Sequence, residues 1–176
     1  MIDTCLVVGL GNIGMGYDYG LDPSKFVLSH ARSFSIHPDF ELVGGVDSDL
    51  KKCAEFEAEY KVPAHINLEK ALKALSPTIV IIATPSNSHG LILKRILRSH
   101  VPKAIVCEKP LDESLAVARD MLKVCNDKSV KLFVNYMRRS EDSVIKIKTM
   151  IDDQVIQPPI KAFVWYSKGL LNNGSH

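Results

Sequence analysis

Apolar residues in this chain fall into two patterns that alternate along it. Short, β-branched runs occupy residues 4–8, 41–46, 78–83, 103–107 and 130–134. Each reads as a strand buried on both faces, because polar residues do not alternate within it. Between these runs, residues 49–60, 68–75, 88–99 and 112–125 place apolar or alanine side chains at helical spacing, with charges on the opposite face. Regular alternation of strand and helix predicts an α/β architecture, a doubly wound parallel sheet with right-handed crossovers.

The pattern changes near residue 137. Residues 140–151 read as one more helix, Pro158 and Pro159 break the chain, and residues 160–167 alternate as a strand would. About 40 residues cannot close a core of their own. The expected organisation is therefore one domain over residues 1–137 and, over 138–176, the incomplete start of a second α/β domain. Phe163, Trp165 and Tyr166 would then leave apolar surface open to self-association.

Composition narrows the functional classes. With 22 basic and 20 acidic side chains in 176 residues, the net charge of +2 provides no electrostatic case for a nucleic-acid partner. No apolar run approaches the roughly 18–20 residues of a membrane span, and the start of the chain lacks the basic and small-residue features of a signal peptide. A cytoplasmic protein is expected. Cys5, Cys53, Cys107 and Cys125 stand far apart, without CxxC or Cys/His spacing, and read as free buried thiols with no metal site.

Gly9, Gly11 and Gly14 form GLGNIG directly after the first strand, where a dinucleotide fingerprint belongs. Gly9 would permit the tight turn, Gly11 the approach of backbone N–H groups to a pyrophosphate, and Gly14 the close packing of helix on strand. Asn12 and Ile13, inside the motif, count with the glycines as cofactor contacts. Asp47 closes the second strand, where a carboxylate accepts ribose hydroxyls and repels a 2′-phosphate, favouring NAD over NADP. The acid stands later than the usual spacing of about 20 residues. Residues 15–27, rich in Tyr, Asp and Gly, intervene before a helix ending near Ile36, and are expected to loop over the cofactor cleft. Lys51 and Lys52 read as helix-face residues. A methyltransferase can use the same loop and acid, so later motifs must decide.

Ligands of parallel sheets lie beyond the carboxyl ends of the strands. After residues 78–83 comes TPSNSH, with Pro85 ending the strand, Ser86 placed to cap the next helix, and His89 reading as a helix-surface histidine. After residues 103–107 comes Glu108-Lys109-Pro110. Lys109 there would aim its ammonium at a substrate oxygen, with Glu108 helping to hold it charged.

Together GLGNIG, the acid of VGGVDSD, IIATPSNSH, CEKPL and VNYMRRS, in this order and spacing, resemble the Gfo/Idh/MocA family, that of glucose-fructose oxidoreductase and inositol dehydrogenase, over essentially the whole chain. The resemblance implies a Rossmann domain for NAD, with NADP possible, and a C-terminal domain carrying the substrate and a homo-oligomer interface. It implies hydride transfer between a nicotinamide cofactor and a sugar, cyclitol or related polyol. Lys109 would be the catalytic lysine, preceding a cis bond to Pro110. Thr84, Pro85, Asn87 and His89 would lie along the cofactor and Glu108 beside its nicotinamide end, while Arg138 and Arg139 would mark the crossing into the second domain. The terminal GLLNNGSH resembles a GxLxDxGxH segment. His176 falls on its catalytic histidine and would accept the substrate proton, while Lys109 stabilises the alkoxide. Asn172, a substrate-binding position, stands where an Asp is usual, so it can hydrogen-bond a hydroxyl but cannot tune the histidine as a carboxylate would. The 176 residues alone are expected to bind dinucleotide and to be inactive. The rival reading is a non-catalytic dinucleotide sensor, against which Lys109 speaks.

Overall fold

The structure, a computed structural model, describes residues 2–164. Strands β1 (Asp3–Val8), β2 (Phe40–Val46), β3 (Ala64–His65), β4 (Ile79–Ile82), β5 (Ala104–Cys107) and β6 (Lys131–Val134) alternate with helices α1 (His30–Ile36), α2 (Leu50–Tyr60), α3 (Leu68–Leu75), α4 (His89–Ser99) and α5 (Leu115–Asp127), and α6 (Asp142–Asp152) follows. All strand pairs are parallel, in the order β3-β2-β1-β4-β5-β6. The order reverses between β1 and β4, which opens a crevice at their carboxyl ends.

Local chemistry starts and stops the helices. Asp49, Asn67 and Ser114 each accept a hydrogen bond from the first turn of α2, α3 and α5, and Lys61 and Ser76 adopt the left-handed conformation that ends α2 and α3. The central strands are apolar throughout because helices cover both faces. Leu6, Val8, Val80, Ile82 and Ile105 pack with Leu72, Leu93, Ile96 and Met121 on one side. Cys5, Val7 and Ile81 pack with Phe56, Ala31 and Met15 on the other. Each such side chain contributes about 1.5–3 kcal/mol.

Residues up to Tyr136 form one compact unit, and the described residues from Met137 onward a second. Two expectations need correction. The sheet has a sixth strand, β3, only two residues long and without an apolar run of its own. Residues 160–164 form no strand. Phe163 is 77% exposed, whereas Trp165 and Tyr166 lie outside the described residues.

Candidate functional site

Because the strands are parallel, the residues following each of them gather at one end of the sheet. At the reversal point, Gly9 has φ +95°, and a Cβ there would lie 2.7 Å from the Ala83 carbonyl carbon and oxygen. A Cβ on Gly14 would fall 1.9 Å from the Gly9 oxygen, so only glycine lets the next turn fold back onto β1. Gly11 differs: nothing stands within 4 Å of where its Cβ would be. The Gly11 carbonyl accepts from the amides of Met15 and Gly16, both at 2.9 Å. Among the described residues the N–H groups of Gly11, Asn12, Ile13 and Gly14 donate to nothing. A short turn of free N–H groups above an open glycine fits the pyrophosphate of a dinucleotide.

Asp47, just past β2, adjoins this turn. Its Oδ2 accepts from the Leu10 amide at 2.8 Å and its Oδ1 from the Asp49 amide at 3.0 Å. A cleft of about 480 Å³ opens beside it, lined by Leu10, Gly11, Asn12, Met15, Gly16, Tyr19, Lys52 and Glu55. Lys52 stands on α2, as expected of a helix-face residue, on the side that borders this cleft; its Nζ is 3.9 Å from the Asp47 carboxylate. Met15 is buried, and the inserted stretch does border this cleft, through Gly16 and Tyr19.

A second group of residues gathers beyond β4 and β5. Glu108 is 8% exposed. Its Oε1 accepts from His30 Nε2 at 2.8 Å and from Asn135 Nδ2 at 2.6 Å, and its Oε2 accepts from the Lys109 amide at 3.3 Å. Burial alone would raise the Glu108 pKa, but the bonds from His30 and Asn135 outweigh it and hold the carboxyl below the usual range. The carboxylate thus engages the Lys109 backbone and not its ammonium, which changes the role read for it from sequence. Lys109 itself is exposed at the strand end, and its bond to Pro110 is cis. His89 is fully buried, not on the surface. Its Nδ1 faces the carbonyls of Pro110 and Leu111 at 3.0 and 3.2 Å and its Nε2 the Thr84 carbonyl at 2.8 Å, so the ring ties two loops together. Thr84 Oγ1 accepts from Ser88, which takes the capping position assigned to Ser86. Pro85 and Asn87 are exposed.

Gly9, Gly11, Asn12, Ile13, Gly14 and Asp47 thus form one cluster, and Thr84, Glu108 and Lys109 lie at the neighbouring strand ends. Asn172 and His176 lie outside the described residues. Sequence reasoning missed His30 and Asn135. Asn135 directly follows β6 and could have been found by the rule applied to the other strand ends; His30 carries no spacing signal. Among the described residues no group of three or more His, Cys, Asp or Glu is arranged to hold a metal, and no helix is long and apolar enough to cross a membrane.

The family model described as an oxidoreductase family with an NAD-binding Rossmann fold matches residues 4–136. An inositol 2-dehydrogenase of Rhizobium meliloti is 30% identical over 70% of this chain and 37% of its own length. A D-xylose 1-dehydrogenase [NADP(+)] of Haloarcula marismortui is 29% identical over 65% of this chain and 32% of its own. The solved structure of scyllo-inositol dehydrogenase from Lactobacillus casei with NAD(H) and scyllo-inositol superposes with a TM-score of 0.74 at 19% identity, covering 89% of this chain and 43% of that one, a likeness of fold. The chain spans well under half the length of these proteins.

Proposed function

The chain belongs to the Gfo/Idh/MocA oxidoreductase family, and from that premise we propose that it serves hydride transfer between a nicotinamide dinucleotide and a hydroxyl-bearing carbon of a sugar, cyclitol or related polyol. The observation that carries this reading is the joining of the two clusters: free N–H groups and Asp47 on one side of the reversal point, Glu108 and Lys109 on the other. The glycine turn would hold the pyrophosphate and Asp47 the adenosine ribose, with Thr84, Pro85 and Asn87 along the cofactor's edge. Bound there, the nicotinamide supplies the hydride chemistry. His89 acts at one remove, by fixing the Thr84 and Pro110 loops.

The chain's own part in the reaction is electrostatic. Lys109 would donate a hydrogen bond to the substrate oxygen, its charge favouring the alkoxide as the proton departs. Glu108, locked by His30 and Asn135, holds the peptide that carries Lys109. His176 is the proposed proton acceptor, and Asn172 a contact for a substrate hydroxyl. Asp47 favours NAD.

Titration of the 176-residue chain with NADH tests the binding half: saturation is expected, and its absence overturns the reading. By themselves these residues are expected to bind without turning over. In assays of the whole protein with sugars and cyclitols, Lys109→Ala should lower kcat/KM by about 10²–10³ while NADH affinity stays within about threefold. Unchanged turnover removes the catalytic role.

A further inference from the structure

The first helix of the fold is interrupted. The His30 amide donates to the Ile13 carbonyl and the Ala31 amide to the Gly14 carbonyl, both at 2.9 Å. With residues 17–29 taken out, these would be ordinary four-residue steps of one helix. Those residues are therefore an excursion looped out of a helix that resumes in register.

The excursion is fixed at its neck and at its tip. Asp18 is fully buried, and its carboxylate accepts from the Leu28 amide at 2.6 Å, the Ser29 amide at 2.9 Å and Ser29 Oγ at 2.6 Å. Arg32, on α1, donates to the Asp18 carbonyl at 3.1 Å and to Glu59 at 2.6 Å. At the tip the Asp22 carboxylate accepts from the Ser24 amide at 3.0 Å and from Ser24 Oγ at 2.7 Å. The Asp22 carbonyl accepts from the Lys25 and Phe26 amides at 3.1 and 3.0 Å.

Compact loops of this kind pack their own side chains. This one does not. Every residue from 19 to 28 is exposed, and Tyr17, Leu21, Phe26, Val27 and Leu28 are each 41–56% exposed. Tyr19 borders the cleft beside Asp47, but these five do not line it. A backbone already held in place gives up little further freedom when such a face is covered.

Charge and area together point to what covers it. The only exposed charged groups of the excursion are Asp22 and Lys25, one of each sign and 3.5 Å apart. Without surplus positive charge the face has no electrostatic attraction for nucleic acid or an anionic lipid surface. Under a two-fold axis the same pair is self-complementary, Asp22 of each copy lying opposite Lys25 of the other. Two aromatic and three aliphatic side chains, each near half exposed, present about 250–400 Å² of apolar area per copy. Two copies cover about 500–800 Å² of it, or about 800–1,300 Å² in all at the roughly 60% apolar share of an interface. That is the size of a weak, reversible contact.

We propose that the excursion is a docking face for a second copy of this chain, joined about a two-fold axis through Phe26, Leu28 and the Asp22 and Lys25 pair. The face belongs to the unit that ends at Tyr136, apart from the C-terminal residues to which the family resemblance assigns an oligomer interface.

Sedimentation equilibrium of the 176-residue chain tests this. A monomer–dimer equilibrium is expected, with Kd about 10–100 µM. Phe26→Ser and Leu28→Ser should each weaken it about tenfold or more, whereas Phe163→Ser should leave it within about twofold. Lys25→Glu makes the tip doubly acidic and should weaken self-association about tenfold. Asp22→Asn keeps an oxygen for Ser24, leaves the tip basic and should weaken it about threefold. Mixed in equal amounts, these two variants should form heterodimers about fivefold more tightly than either forms homodimers, which an ion pair within one copy cannot produce. All of the replaced side chains are exposed, so thermal melts of the dilute variants should match the parent chain. A parent chain that stays monomeric at about 500 µM overturns the proposal. So does a dimer lost in Phe163→Ser and kept in Phe26→Ser, or a mixture that associates no better than its components.

Discussion

Replacing His30 with alanine tests whether Glu108 is held as a buried carboxylate. The substitution removes one of two side-chain donors from Oε1 and leaves the carboxylate with Asn135 and the long contact to the Lys109 amide. A hydrogen bond to a charged group contributes about 1.5–3 kcal/mol, and truncating one partner of a buried pair costs up to about 3–5 kcal/mol. With both side chains 10% exposed, water can replace the lost donor only in part. We therefore expect a loss of about 2–3 kcal/mol, or about 7–12 °C in Tm for a unit of this size. The pH dependence supplies a second readout. The Glu108 carboxyl lies below its ordinary value of 4.5 in the fold, so its contribution is complete above that value and is lost as pH falls through the folded value. Urea melts followed by circular dichroism from about pH 7 to about pH 3 should show this acid-side loss in the parent chain and lack it in Glu108→Gln. Asp3, Asp22 and Glu69 are also held low, by Lys103, Ser24 and Arg95, but those surface contributions are common to both proteins and cancel. A His30→Ala variant within about 0.5 kcal/mol of the parent at neutral pH, or identical acid slopes in the parent and Glu108→Gln, would refute the reasoning.

Two further outcomes follow from the packing. Gly14→Ala places a methyl 1.9 Å from the Gly9 oxygen and should cost about 3 kcal/mol or more in urea melts, with loss of NADH binding; a cost under about 1 kcal/mol contradicts the geometry. Burial pushes the Cys5 and Cys107 thiols up to about 12, so at about pH 8 a chromogenic disulfide should label them only as urea unfolds the chain, and rapid labelling of the native protein would count against that.

The sheet was largely legible because strands covered on both faces are apolar, which marks β1, β2, β4 and β5 as runs; β6, at the sheet edge, was found as an apolar run although Lys131 and Phe133 are exposed and the strand is not covered on both faces. β3 escapes that logic: it is two residues long, and Ala64 and His65 are too short a segment to leave an apolar run in the sequence. Gly9, Asp47, Glu108 and Lys109 could be located since a parallel sheet sends every strand end to one side. His30 could not. Its place next to Glu108 depends on a helix resuming in register after the excursion, a fact of hydrogen bonding and not of spacing. Lys52 was read as a helix-face residue, and its place beside the cleft was not legible because a lysine on an amphipathic helix looks alike in sequence whether it meets water or a cleft. His89 was misread because the carbonyls that its ring meets, those of Thr84, Pro110 and Leu111, stand on two loops whose approach no spacing in the sequence reveals.

That ring has a mechanical consequence. The loop after β4 and the loop after β5 have no covalent reason to move together, yet one imidazole is hinged to both, with the Thr84 carbonyl on one nitrogen and the Pro110 and Leu111 carbonyls on the other. A displacement of the segment following Lys109 relative to Thr84 would have to break a contact on this ring. The buried ring is thus a shared spacer that sets the separation of the two strand ends.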